Sequence, residues 1–259
     1  MPTPARRLTA LALAAAAFAA AAAPAEAQLR AGFRSTLAPR GDDTVTPFAA
    51  FGFSMNIRGG TYNAGSACMN GYVAFGVPLD ATSCVYPGIA GAASNALSFL
   101  SDVHGTAVAA LYRDLNSGPA ASGQLGYGGG TVDGRQAFGF TWDGVFNFGG
   151  TAPNFFQLIF VNRAADFGAG AFDVEYNYGL LASTGNAAAG VTDDGGFSGT
   201  PYTVAVTAAP NSRTVQCFRG GSVAACGTIE VIPEPSTVAL TVVGLGALAG
   251  AGLRRRRAA

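Results

Sequence analysis

The chain has 259 residues, of which 49% are hydrophobic and 12% charged, with fifteen basic and fifteen acidic side chains and a formal charge of zero. A neutral total excludes a protein that coats nucleic acid through bulk charge, and 10% aromatic residues with so few charges exclude a disordered tail. The single histidine, His104, leaves too little imidazole for histidine-based catalysis or a multi-histidine metal site, and every basic residue is arginine.

Residues 1–27 carry Arg6 and Arg7, an apolar alanine-rich run, and the small-residue end Ala25-Glu26-Ala27. This three-part order predicts a secretory signal peptide cleaved after Ala27. The run is short and stops at Pro24, which disfavours a permanent membrane anchor. The segment that follows, 28–210, is expected to form one exported domain, with 211–232 supplying terminal strands and a linker.

Within that domain Phe51, Phe53, Met55 and Ile57 recur at every second position, as do Phe138, Phe140 and Trp142. Period-two alternation gives a strand one apolar face. Residues 90–100 hold the only helix expected. Segments 124–132 and 135–142 flank Asp133-Gly134, a dipeptide suited to a two-residue hairpin turn in which both positions take positive φ. Segments 155–163 and 172–178 read as a second hairpin with a longer glycine-bearing loop, and 202–207 and 214–218 as later strands. The expected fold is mainly β: a sandwich of antiparallel strands in which two sheets cover each other's apolar faces.

Export implies an oxidising destination, so Cys68, Cys84, Cys217 and Cys226 are read as disulfides. Four cysteines allow three pairings; proximity favours Cys68 with Cys84 and Cys217 with Cys226. No C-x-x-C pair and no neighbouring histidine supports a metal site instead, and no metal or cofactor is expected.

Asp173 and Glu175, two apart on a strand, point to one side, where they could act as an acid/base pair or as calcium ligands. The simpler expectation is a solvated polar face with Tyr176 and Tyr178 turned inward. Asp193-Asp194-Gly195-Gly196 lacks the spacing of a calcium loop, His104 has no G-x-S-x-G nucleophile to serve, and Gly128-Gly129-Gly130 precedes no helix that could cradle a phosphate. An exposed Trp142, the only tryptophan, would offer a platform for a sugar.

At the far end, Pro233-Glu234-Pro235 precedes an apolar run over 238–253 and then Arg254, Arg255, Arg256 and Arg257. The run is expected to span the inner membrane as one helix, with the arginines on the cytoplasmic side and residues 28–232 outside. Residues 233–257 resemble the PEP-CTERM sorting signal in order and position. That resemblance implies recognition by an exosortase-type membrane protease of a Gram-negative bacterium, cleavage near 233–235, and transient anchoring in the inner membrane. Without the two ends, nine basic and thirteen acidic residues remain in 28–232, a charge of about −4.

Tyr62-Asn63-Ala64, Asn70-Gly71-Tyr72-Val73-Ala74-Phe75-Gly76, Phe99-Leu100-Ser101-Asp102-Val103 and 135–142 follow the order of the nidogen-like NIDO domain, as do 154–160 and 170–179. The most specific block is Asn154-Phe155-Phe156-Gln157-Leu158 followed by Phe172-Asp173-Val174-Glu175-Tyr176-Asn177-Tyr178. The resemblance spans about 45–205, and departs from the family where Leu100-Ser101 stands in place of a second ring beside Phe99. It implies an extracellular, non-enzymatic module associated with cell-matrix adhesion. The expected protein is therefore an exported surface or matrix protein, adhesive or associated with biofilm exopolysaccharide, with an extracellular polysaccharide or surface protein as partner and no nucleic acid. The alternative is a carbohydrate-active enzyme using Asp173 and Glu175, or a lectin-like sugar-binding module.

Overall fold

A computed structural model describes residues 29–84, 86–88, 92–185, 187–192, 201–206 and 212–226. The expected signal peptide, with Ala25 and Ala27, and the tail, with Pro233, Glu234, Pro235, the apolar run and Arg254 to Arg257, lie outside the described residues. Among the described residues no helix is long and apolar enough to cross a membrane.

In chain order the strands begin with β1 (Thr36–Leu37), β2 (Ala49–Ile57), β3 (Gly60–Cys68) and β4 (Tyr72–Phe75). Helix α1 (Ala93–His104) leads into β5 (Ala107–Tyr112), β6 (Leu115–Asn116), β7 (Gln124–Val132), β8 (Arg135–Asn147) and β9 (Pro153–Asn162). A single helical turn, α2 (Ala164–Phe167), precedes β10 (Phe172–Tyr178), β11 (Ala188–Val191), β12 (Tyr202–Val204), β13 (Ser212–Arg219) and β14 (Ser222–Ala224). They form an eight-stranded sheet in the order β1-β7-β8-β9-β10-β13-β14, with β6 added on β8, and a six-stranded sheet in the order β12-β11-β5-β4-β3-β2. Every pairing is antiparallel.

The two sheets bury their apolar faces together. Phe51 of β2 lies 5.2 Å from Phe138, 5.6 Å from Phe160 and 6.1 Å from Phe75, so one ring from the smaller sheet joins rings of both layers. Buried polar ties also cross between the layers. The Trp142 indole N–H donates to the Met69 carbonyl at 2.9 Å, and the Tyr178 hydroxyl donates to the Ala110 carbonyl at 2.8 Å. Each satisfies a buried polar atom that would otherwise oppose packing.

Local chemistry explains several elements. Asp133 (φ 50°) and Gly134 (φ 77°) turn β7 into β8 with Val132 opposite Arg135, the hairpin expected of this dipeptide. The second expected hairpin pairs β9 with β10, and its loop contains α2. The helix expected at 90–100 is present, displaced to Ala93–His104. Residues 212–226 are not peripheral: β13 pairs with the whole of β10, from Phe172 with Phe218 to Tyr178 with Ser212. Cys68 is bonded to Cys84 and Cys217 to Cys226, the pairings that proximity favours.

Candidate functional site

The expectation that Asp173 and Glu175 form a solvated polar face is corrected by the structure. They do share the outer face of the larger sheet with Asn177, but Asp173 is only 7% exposed and Glu175 only 6%. All four carboxylate oxygens are held by guanidinium groups. Arg219 Nη2 lies 2.7 Å from Asp173 Oδ1 and Arg163 Nη1 lies 3.0 Å from its Oδ2. Arg30 grips Glu175 at both oxygens, Nε to Oε2 at 2.6 Å and Nη2 to Oε1 at 2.9 Å. The planar fork of arginine matches a carboxylate at two points, which the ammonium of lysine cannot do. Helix α2 closes the Asp173 end: Phe167 lies under the Arg219 guanidinium at 4.0 Å, and Asp166 bridges Arg135 and Arg163. Each oxygen of the pair is thus engaged by an arginine.

Arg30 reaches Glu175 because residues 29–38 lie as a strap across the outer face of the larger sheet. Gln157 fixes the strap at both ends of its amide, accepting from the Arg30 N–H and donating to the Arg30 carbonyl, each at 3.1 Å. Further along, Thr141 donates to the Phe33 carbonyl, and β1 pairs with β7, Thr36 opposite Tyr127 and Leu37 opposite Gly126. Phe33 is buried with Val132, Ala137, Ile159 and Val161 in a second, smaller core. Glycines make the seat. A Cβ at Gly130 would meet the Phe33 ring at 3.0 Å and one at Gly139 would meet it at 2.9 Å, while Gly126 and Gly128 admit Arg34 and Ser35. The run Gly128-Gly129-Gly130 is therefore strand backbone, bared for a close approach.

Trp142 is fully buried and stacked on Phe156 at 4.8 Å, so the expected sugar platform at an exposed Trp142 is also corrected. Alternation on β8 turns this ring into the core. His104 is half-buried at the end of α1 with Nε2 2.9 Å from the Tyr72 hydroxyl, which also lies 3.0 Å from the Ser83 carbonyl. The direction of the Tyr72–His104 hydrogen bond is set by the imidazole tautomer. Burial holds the ring below its ordinary value near 6.5, so it is neutral at neutral pH. Asp193 and Asp194 lie outside the described residues. Among the described residues no group of three or more His, Cys, Asp or Glu side chains could hold a metal ion.

One surface remains with chemistry to offer. A cleft of about 450 Å³ opens beside the strap on the flank of the larger sheet, lined by Arg34, Asp143, Gly144, Phe146, Pro153 and Phe155 together with the 121–123 turn. It is built on a β-bulge. The β8–β9 register shifts between Asp143 and Val145, where Gly144 takes φ 74°. The bulge leaves Asp143 directly opposite Phe155 and within reach of the strap, and Arg34 Nη1 donates to Asp143 Oδ2. The turn is held by Gly123 N–H donating to the Gly144 carbonyl at 2.7 Å and by Ser122 Oγ, which accepts from the Phe146 N–H and donates to the Asn116 carbonyl.

A family model described as NIDO related matches residues 17–224. The chain belongs to the NIDO-related family. A second model, the PEP-CTERM protein-sorting motif, matches residues 231–257. No curated protein and no solved structure matches the chain. The motif marks this NIDO-related protein as exported and processed by an exosortase-type membrane enzyme, and the NIDO-related domain places it at the cell surface or outside the cell.

The Arg34, Asp143 and Phe155 group of this NIDO-related domain escapes a sequence reading because its members are brought together by the strap and the bulge. A weak signal exists. The alternation Phe138, Phe140, Trp142 breaks at Asp143-Gly144 before resuming at Val145, which is how an inserted residue in a strand looks.

Proposed function

We propose that the protein is a non-enzymatic adhesive module of the cell surface or extracellular matrix, associated with biofilm exopolysaccharide and released to its destination by processing at 233–235. In this reading the apolar run over 238–253 holds the precursor in the inner membrane until the exosortase acts. The observation that carries the non-enzymatic reading is the occupation of every oxygen of Asp173 and Glu175 by arginine, since an acid/base pair needs a free oxygen within reach of substrate. Two disulfides and a strap fixed by bidentate contacts suit a rigid display module in an oxidising space.

The test compares a producing strain with its deletion mutant for cell–cell aggregation and biofilm mass, alongside reducing-end release from the strain's own polysaccharide by the full-length chain. Lower aggregation in the mutant and no new reducing ends support the reading. New reducing ends that disappear in Asp173→Asn overturn it in favour of a carbohydrate-active enzyme.

A further inference from the structure

The cleft beside the strap matches the chemistry of a carbohydrate. We propose that it seats one neutral hexopyranose unit of an extracellular polysaccharide, with Phe155 against the sugar ring and the Arg34–Asp143 pair on its hydroxyls. The proposal rests on the reading of the protein as an exported surface module and names the ligand class of that module.

Size comes first. About 450 Å³ falls inside the range of roughly 300–1,000 Å³ common to ligand sites. Being open to solvent, the cleft can accept an internal unit of a long chain, where an enclosed pocket would take only a chain end.

Charge then selects the ligand. Asp143 and Arg34 neutralise each other, and among the described residues Asp143 Oδ1 and the remaining guanidinium N–H groups have no side-chain partner. The carboxylate accepts and the guanidinium donates, which suits two adjacent hydroxyl groups, each of which both gives and takes a hydrogen bond. The neutralised pair offers no net charge to draw a uronate or an amino sugar, and a neutral sugar requires none.

The third element is the half-buried Phe155. It lies directly across the ladder from Asp143, with edge carbons close to Gly144, where a Cβ would come within 3.3 Å of the ring. Aromatic ring and carboxylate therefore sit side by side, so a pyranose stacked by its C–H face on Phe155 brings equatorial hydroxyls to the charged pair. The cleft is preorganised, since Ser122 is fully engaged in holding the turn and the bulge is locked by Gly123. Arg34 comes from the strap, so the site is complete only when the strap is seated.

Affinity electrophoresis of the full-length chain in mild detergent tests this, with dextran, galactomannan or pullulan in the gel as neutral hexopyranose probes and alginate as the anionic one. Retardation by at least one neutral polysaccharide is expected, weakened about tenfold or more by Phe155→Ala and by Asp143→Asn and unchanged by Phe167→Ala, whose exposed ring lies outside the cleft. Asp143→Asn keeps the side-chain shape, and unaltered emission from buried Trp142 shows that each variant is folded. No retardation by any neutral polysaccharide, retardation that survives both cleft variants, or retardation by alginate alone overturns the proposal. Loss of aggregation in the deletion strain without neutral-sugar retention would overturn the cleft while leaving the adhesive reading in place.

Discussion

Phe33 is seated on Gly139: its ring occupies the space that a side chain would fill there, with Cγ 2.9 Å from the position of an added Cβ. The bare backbone of β8 is thus part of a binding surface for the chain's own strap. Gly139→Val is expected to lift Phe33 and destabilise the domain by about 1–3 kcal/mol, the usual range for overpacking. Urea denaturation measures it, and an unchanged midpoint would show that the strap contributes nothing to stability.

Glu175→Gln keeps shape but removes the charge that Arg30 and Arg213 surround. Arg30 and Arg213 are partly exposed, so water softens the loss, and a decrease of about 1–3 kcal/mol is expected. Adding Arg30→Met should restore part of it, because the unpaired guanidinium is then gone. A double-mutant cycle checks this coupling.

The Cys68–Cys84 bond joins residues 16 apart in the sequence. Replacing both cysteines with alanine is expected to cost about 3 kcal/mol through the freedom regained by the unfolded chain. The urea midpoint should fall while the slope rises, since the unbridged chain exposes more surface.

The neutral imidazole of His104 gives a pH dependence of definite sign. Its folded value lies below the ordinary 6.5, so its contribution is present in full above about pH 6.5 and is lost as pH falls from there through the folded value. The melting temperature should drop between pH 7.5 and pH 5, and His104→Gln, whose amide does not titrate and still offers Tyr72 a hydrogen-bonding partner, should flatten that slope. Asp42 and Asp114, raised chiefly by burial, act in the opposite sense and are common to both proteins.

Trp142, stacked on Phe156 with its N–H tied to Met69, should emit at short wavelength and resist acrylamide quenching. Its emission should also ignore added polysaccharide. A quenchable, ligand-responsive signal would contradict the buried position.

Much of the frame was legible in the sequence. Alternating aromatics on β2 and β8, the Asp133-Gly134 turn and the paired cysteines each express a local rule, so those elements stand where expected. The small-residue strands β3, β5 and β11 were not legible, because alanine and glycine give no period-two contrast. Asp173 and Glu175 show their shared face in the sequence but not their enclosure. Alternation decides which way a carboxylate points, while the arginines that enclose it come from residues 30, 163, 213 and 219, and only the fold brings those together.

The strap sets an order of events for an exported chain. Arg30 meets its carboxylate 145 residues later in the sequence and its amide partner 127 residues later. A polypeptide threaded through a membrane from its N-terminus delivers the strap among the first residues and the strands that receive it long afterwards. Contacts of such separation close late. Until they close, the Phe33 ring and the glycine-bared face of the larger sheet lack the cover that each gives the other.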